Sequence, residues 1–250
     1  MDINLNMEIE KIIIEALKHF NQNKVLFLKI YLPSFLTLIA MVVGWYAFDI
    51  EVKINQKPLN FGYLALIIIS ALICLALFIK STVHIHRAFI LNEGSTIKAL
   101  FKITKRDLYF FKKVILISLI MLFVTFIVNS SLNRHLNEIE GVFLTQVFVL
   151  IKALIIAYLG SRLALVLPAA ALEHKLSFKK AWEISGDYSA KIFLGVGVLP
   201  IMTNLILSNL PSYTSLFYMF VVLLITIVIT IIEIGILSLL YKDITDNNQY

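Results

Sequence analysis

The chain has 250 residues, of which 60% are apolar and only 15% charged, with a mean hydropathy of +0.89. A soluble domain carries about a quarter charged residues, so this composition excludes an ordinary soluble fold and points to the bilayer. The net charge of +6 sits beside apolar runs, which assigns it to topology and anionic lipid headgroups and excludes nucleic acid as its partner.

Residues 7–20 (MEIEKIIIEALKHF) mix Glu and Lys with apolar residues, and no charge-free run precedes a small-residue cleavage site. The segment therefore reads as an amphipathic helix. Ile9, Ile12, Ile13, Ala16, Leu17 and Phe20 form one apolar stripe, with Glu8, Glu15 and Lys18 facing away. Such a helix lies in the headgroup plane. It serves either as a collar orienting the next span or as a surface for lipid sensing and partner docking.

A helix needs about 20 mainly apolar residues to cross a hydrocarbon core of about 30 Å. Six stretches qualify: 25–48, 61–79, 108–128, 142–167, 192–210 and 214–240. In the third, Lys112 and Lys113 must snorkel to the interface, and a re-entrant or tilted segment is the alternative there. Continuous apolar runs exclude the alternating pattern of a β-barrel. The fold class is all-α integral membrane, six transmembrane helices in one membrane domain covering residues 1–250.

Lysine and arginine placement sets the orientation. Sixteen of the 22 flank one side: Lys11, Lys18, Lys24, eight between Lys80 and Lys113, Lys175, Lys179, Lys180, Lys191 and Lys242. The other side holds Lys53, Lys57 and Arg134, and the spans hold Lys29, Lys152 and Arg162. Both termini are thus expected in the cytoplasm. Trp45, Tyr46, Phe48, Phe61, Tyr63, Tyr213, Phe217 and Tyr218 fall where an outer aromatic belt belongs.

The odd-numbered spans share a preface: an amphipathic helix, then a polar or basic break. With Ala16, Ala99 and Ala181 equivalent, the spacings are 83 and 82 residues, and Ser95 and Ser177 each precede the alanine by four, as N-caps. The chain thus reads as three tandem repeats of interfacial elbow helix and hairpin, over 8–80, 95–168 and 177–241. Chance similarity of amphipathic elbows is the alternative.

An ionisable side chain at the centre of a bilayer costs about 2.5–3.5 kcal/mol, so intramembrane polar residues are the candidate site. Glu233 stands in ITIIEIGIL, with Thr226 and Thr230 on its helical face. The fourth span carries Lys152 and Arg162, with Gln146 above them, and the small-residue row Ala153, Ala157 and Ser161, which mark it as central. Arg162 and Glu233 lie about 10 Å from the cytoplasmic boundary at 1.5 Å per residue. They are expected to pair, with Lys152 as the second choice for Glu233. The pair would fix register or serve a gate or proton-coupled site. Asn204 and Lys29 are lesser cases, as a helix-to-helix hydrogen bond and a snorkelling cation.

His84 and His86 are two residues apart on a helix and point to different faces, which makes shared metal ligation poor. Cys74 is the single cysteine. No nucleotide-binding, metallohydrolase or nucleophile-elbow motif occurs. No cofactor, metal or enzymatic activity is therefore expected. Membrane lipids are the expected partner, with a protein partner or a second copy left open.

The segment from Arg162 through Pro168, Ser177, Ala181 and Trp182 to Ser185 resembles a pattern in bacterial multi-pass proteins of the YciC-like family. It is similar also to the integral-membrane domain joined to some glycerophosphodiester phosphodiesterases. The resemblance extends loosely over the chain, including EALKHFNQN and Tyr241-Lys-Asp; the phosphodiesterase catalytic domain is absent. It implies about six spans, a bacterial inner-membrane location and a role in envelope or lipid homeostasis. The reading from sequence is a non-catalytic scaffold or lipid-interacting protein. A small transporter or channel using the fourth and sixth spans is the alternative, and a lipid-modifying enzyme would need a nucleophile and base converging at the cytoplasmic boundary.

Overall fold

The computed structural model describes residues 3–55, 61–136, 142–209 and 216–248, and among them every regular element is helical. Tyr213 of the expected belt and Lys57 of the outer side lie outside the described residues. In chain order the elements are α1 (Ile3–Gln22), α2 (Lys24–Asn55), α3 (Phe61–Leu91), α4 (Ile97–Phe101), α5 (Lys105–Leu136), α6 (Val142–Ala164), α7 (Val166–Ala171), α8 (Phe178–Ile184) and α9 (Ser189–Ile192). A π-helical segment (Phe193–Val198), α10 (Leu199–Ser208) and α11 (Leu216–Asn248) follow.

Among the described residues, six stretches are long and apolar enough to cross a membrane: Lys24–Trp45, Leu64–Leu91, Lys105–Ser130, Gln146–Ala171, Ser189–Leu207 and Phe220–Asp246. Each overlaps one of the six runs read from sequence, with ends displaced by up to twelve residues. The third is one unbroken helix, α5, so no re-entrant turn occurs among its described residues.

Local chemistry sets the breaks. α1 stops at Asn23, whose amide group bonds to the His19 carbonyl at 3.2 Å while α2 resumes at once. α3 ends on Asn92 in the left-handed region (φ 53°), and Asn92 Oδ1 bonds His19 Nε2 at 2.8 Å. Ser177 caps α8 by accepting from Lys180 N. α4 is capped by Thr96 and not by Ser95, because Thr96 has the extended backbone that aims its oxygen at Ala99 N. The buried elbow residue in that unit is accordingly Leu100, one position past Ala99. In the fifth span Pro200 lacks the N–H an α-helix would use to reach back four residues, and the wide π turns precede it.

Burial is concentrated at one end. α1, α2, α3 and α11 bury Ile12, Ala16, Phe27, Ile85, Phe89, Ile231 and Ile236 together. α7, α8, α9 and α11 bury Leu165, Ala169, Ala181, Ile192 and Ile244, and α3, α5 and α7 enclose Val83 and Phe110. Farther along the same helices apolar side chains face outward, as Leu122 and Phe126 do on α5, each 68% exposed. Hydrocarbon tails solvate such faces as well as another helix would, so close packing must come from small residues and polar ties.

Three glycines show that close packing. A Cβ at Gly235 would clash with the Phe89 ring, so the bare backbone of α11 packs directly on that side chain of α3. A Cβ at Gly195 would come within 2.9 Å of Ile9 of α1, and one at Gly197 within 3.2 Å of the Ala157 carbonyl of α6. Ala157 thus does serve a close contact. The fourth span is nonetheless not the centre: Val149, Leu150, Ile151 and Ile155 of α6 are exposed, while α11 from Ile231 to Ile244 carries the deepest burial. The fifth span packs between α6 and α11, and this places α6 on the outside.

Candidate functional site

The buried end is held by polar ties, several of which join elements distant in sequence. Lys80 of α3 donates to Asp107 Oδ2 at 2.5 Å and to the Lys102 carbonyl at 2.7 Å. Asp107 also accepts from the Thr104 backbone and hydroxyl, while its own N–H reaches Thr104 Oγ1. This reciprocal Thr-x-x-Asp arrangement is a capping box that starts α5, a signal present in the sequence that the span-by-span reading passed over.

His86 Nδ1 lies 2.7 Å from Ser238 Oγ of α11, and Ser238 donates to the Ile234 carbonyl at 2.7 Å. With the hydroxyl proton so used, Nδ1 carries the imidazole proton. His84 points elsewhere, as expected at a two-residue offset, and its Nε2 is buried with no hydrogen-bond partner. Ser34 and Ser81 join α2 to α3 at 2.8 Å, and Lys191 of α9 donates to Asp243 of α11 at 2.8 Å. Arg87 holds Glu93 through two bonds of 2.6 and 2.5 Å, and these hold the Glu93 carboxyl below the usual carboxylate range. Lys113 donates to the Leu176 carbonyl at 2.9 Å, so it finishes on protein, not in the headgroups.

The five residues singled out by sequence do not converge. Arg162 is buried but turns toward α8: Nε donates to Ser185 Oγ at 2.8 Å, Nη2 to the Trp182 carbonyl at 2.5 Å and Nη1 to Tyr158 Oη at 3.3 Å. Its charge sits at the carboxyl end of a helix, where a cation is favoured. Glu233 faces the fifth span and accepts from Thr203 Oγ1 at 3.0 Å. The expected Glu233–Arg162 ion pair is therefore absent, because the fifth span stands between the two helices. Lys152 is half-buried and has no hydrogen bond or ion pair among the described residues, so the second-choice pair with Glu233 is also absent.

Thr226 and Thr230 donate to carbonyls four residues back in α11, at 2.9 Å each. They line a cleft of about 400 Å³ between α2, α3 and α11, with Tyr31, Ser34, Leu38 and Cys74 opposite. Glu233 is not in its lining, so the polar stripe of the sixth span divides between two neighbours. A second groove of about 320 Å³ lies along α3 between α4 and α5, and a third of about 360 Å³ lies between α2 and α3 near Trp45. All three are lined mainly by aliphatic and aromatic side chains. Lys80, Asp107, Arg162, Lys191 and Glu233 serve as ties between elements, while the space between the spans is mainly apolar. Comparison with protein-family models, with curated proteins and with solved structures yields no match to this chain.

Proposed function

We propose that the chain is a non-catalytic, lipid-interacting scaffold of the bacterial inner membrane, with both termini cytoplasmic. The observation that carries this reading is the apolar cleft between α2, α3 and α11, whose lining holds no charged side chain. A cleft lined by Tyr31, Cys74 and Leu38, with two threonines satisfied within their own helix, suits an acyl chain better than a hydrated ion.

The reading extends to three tandem elbow–hairpin units. Its support is that Ser177 and Thr96 each cap a short helix whose fourth following residue, Ala181 or Leu100, is buried, and each such helix leads into a span. Ala16 is likewise fully buried on α1 before α2 begins. Sixteen lysines and arginines on one side support the orientation. The resemblance to the YciC-like family supports the inner-membrane location and an envelope or lipid role.

A nitroxide attached to Cys74 tests the reading. Accessibility to dissolved oxygen with little accessibility to an aqueous nickel chelate is expected of a lipid-filled cleft. The reverse would replace the scaffold with the small transporter or channel, for which the cleft must hold water.

A further inference from the structure

We infer that the groove along α3, between α4 and α5, is a binding site for an anionic glycerophospholipid with a hydroxyl-bearing head group. This rests on the lipid-interacting reading and names a second site and its ligand class.

The groove runs from Leu72 to Lys80 on α3, about 12 Å at 1.5 Å per residue. That is most of one leaflet's share of a hydrocarbon core of about 30 Å, the length over which an acyl chain needs cover. Leu72, Ile73, Leu75 and Ala76 line it, and Phe101 and Leu108 stand at its polar end. Phe101 and Leu108 are exposed although they sit beside the headgroup level, which leaves an apolar collar with no protein against it.

The polar end is built. Asp107 is 95% buried, and its Oδ1 has no hydrogen-bond partner although the residue lines the groove. Lys80 Nζ, also in the lining, has three protons and two partners in the protein. A buried acceptor without a partner and a cation with one proton to spare thus belong to two paired side chains that both line this end of the groove. A hydroxyl satisfies both at once; a choline group satisfies neither.

Charge selects the lipid further. Between Lys98 and Lys112 the chain carries Lys98, Lys102, Lys105, Arg106 and Lys112 against the single acid Asp107, whose charge Lys80 already neutralises. Lys102 and Lys105 are exposed, their ammonium groups have no partner among the described residues, and they flank Ile103 of the groove's rim. A phosphate leaving the groove meets both.

The test uses the full chain in phosphatidylcholine nanodiscs, with phosphatidylglycerol titrated in and bound lipid counted by native mass spectrometry. Phosphatidylglycerol should be retained in preference to phosphatidylcholine. Lys102→Gln with Lys105→Gln should weaken retention by about fivefold for each lysine, the usual worth of one cation at an anionic surface. Ala76→Phe, a change on an exposed groove-lining position, should remove the bound phosphatidylglycerol while melting stays at the wild-type temperature. The lysine pair lies on the surface and keeps the test alive if the Phe variant misfolds. Equal retention of the two lipids, or insensitivity to both variants, would overturn the assignment. So would displacement by inorganic phosphate, which would make the site an ion site. Neutral lipid held equally, and still held in Ala76→Phe, would end this inference and leave the general lipid reading standing.

Discussion

Arg162 places its guanidinium carbon 3.7 Å from the centre of the Trp182 ring while Nη2 donates to the carbonyl of that same residue. One side chain of the fourth span thereby holds both the face and the carboxyl end of α8, and Ser185 closes the arrangement by donating to the same carbonyl at 2.9 Å. Arg162→Ala removes charged hydrogen bonds, each worth about 1.5–3 kcal/mol. The variant should lose about 3 kcal/mol in a denaturant titration followed by tryptophan fluorescence. Arg162→Lys should recover less than half, because an ammonium cannot fork between Ser185 and Trp182 while stacking on the ring.

Lys80 and Asp107 form the buried pair of the α3–α5 junction, with side chains only 5% and 7% exposed. Lys80→Met alone leaves Asp107 charged and buried, a loss of about 3–5 kcal/mol. Combining it with Asp107→Asn should restore part of that loss. A double-mutant cycle in which the two changes simply add would show that the pair contributes nothing.

Arg162 and Glu233 belong to separate networks, so their mutations should be additive within about 0.5 kcal/mol. Glu233→Gln keeps a side-chain acceptor for Thr203 and should cost less than about 1 kcal/mol. A coupling energy well above that bound would mean that the two side chains do meet.

Gly235→Ala drives a methyl group into the Phe89 ring and should cost about 1–3 kcal/mol by overpacking. Gly44→Ala on α2 meets nothing within 4 Å and should be neutral or slightly stabilising through helix propensity. Thermal melting of the two variants in one detergent compares them directly.

How much of this was legible beforehand follows from what is local. Span number and position came from hydropathy, a property of consecutive residues, and all six runs reappear as helices. The Ser177 cap of α8 was readable for the same reason, since a cap acts three residues along its own chain. The cap of α4 was displaced by one residue, from Ser95 to Thr96, because both residue types can cap and only backbone conformation chooses between them.

The ends of the spans were less readable. The second run was closed at Phe78 and Ile79, where charge begins, yet α3 continues to Leu91 through Lys80, His86 and Arg87. Those residues are tolerated because Asp107, Ser238 and Glu93 meet them, and none of these partners is a sequence neighbour on the same turn. Polarity ended the span in the sequence reading, while pairing extended the helix in the molecule.

The sequence by itself determined how polar residues are spaced along each span, since rise per residue is fixed along a helix. It did not determine which way each side chain faces its neighbours, because that depends on which helix packs where. Counting from the ends of the apolar runs sets Arg162 and Glu233 level; packing put the fifth span between them, gave Arg162 to α8 and gave Glu233 to Thr203. The small residues and glycines that permit that packing are visible in the chain, but the surfaces they meet exist only once the spans assemble.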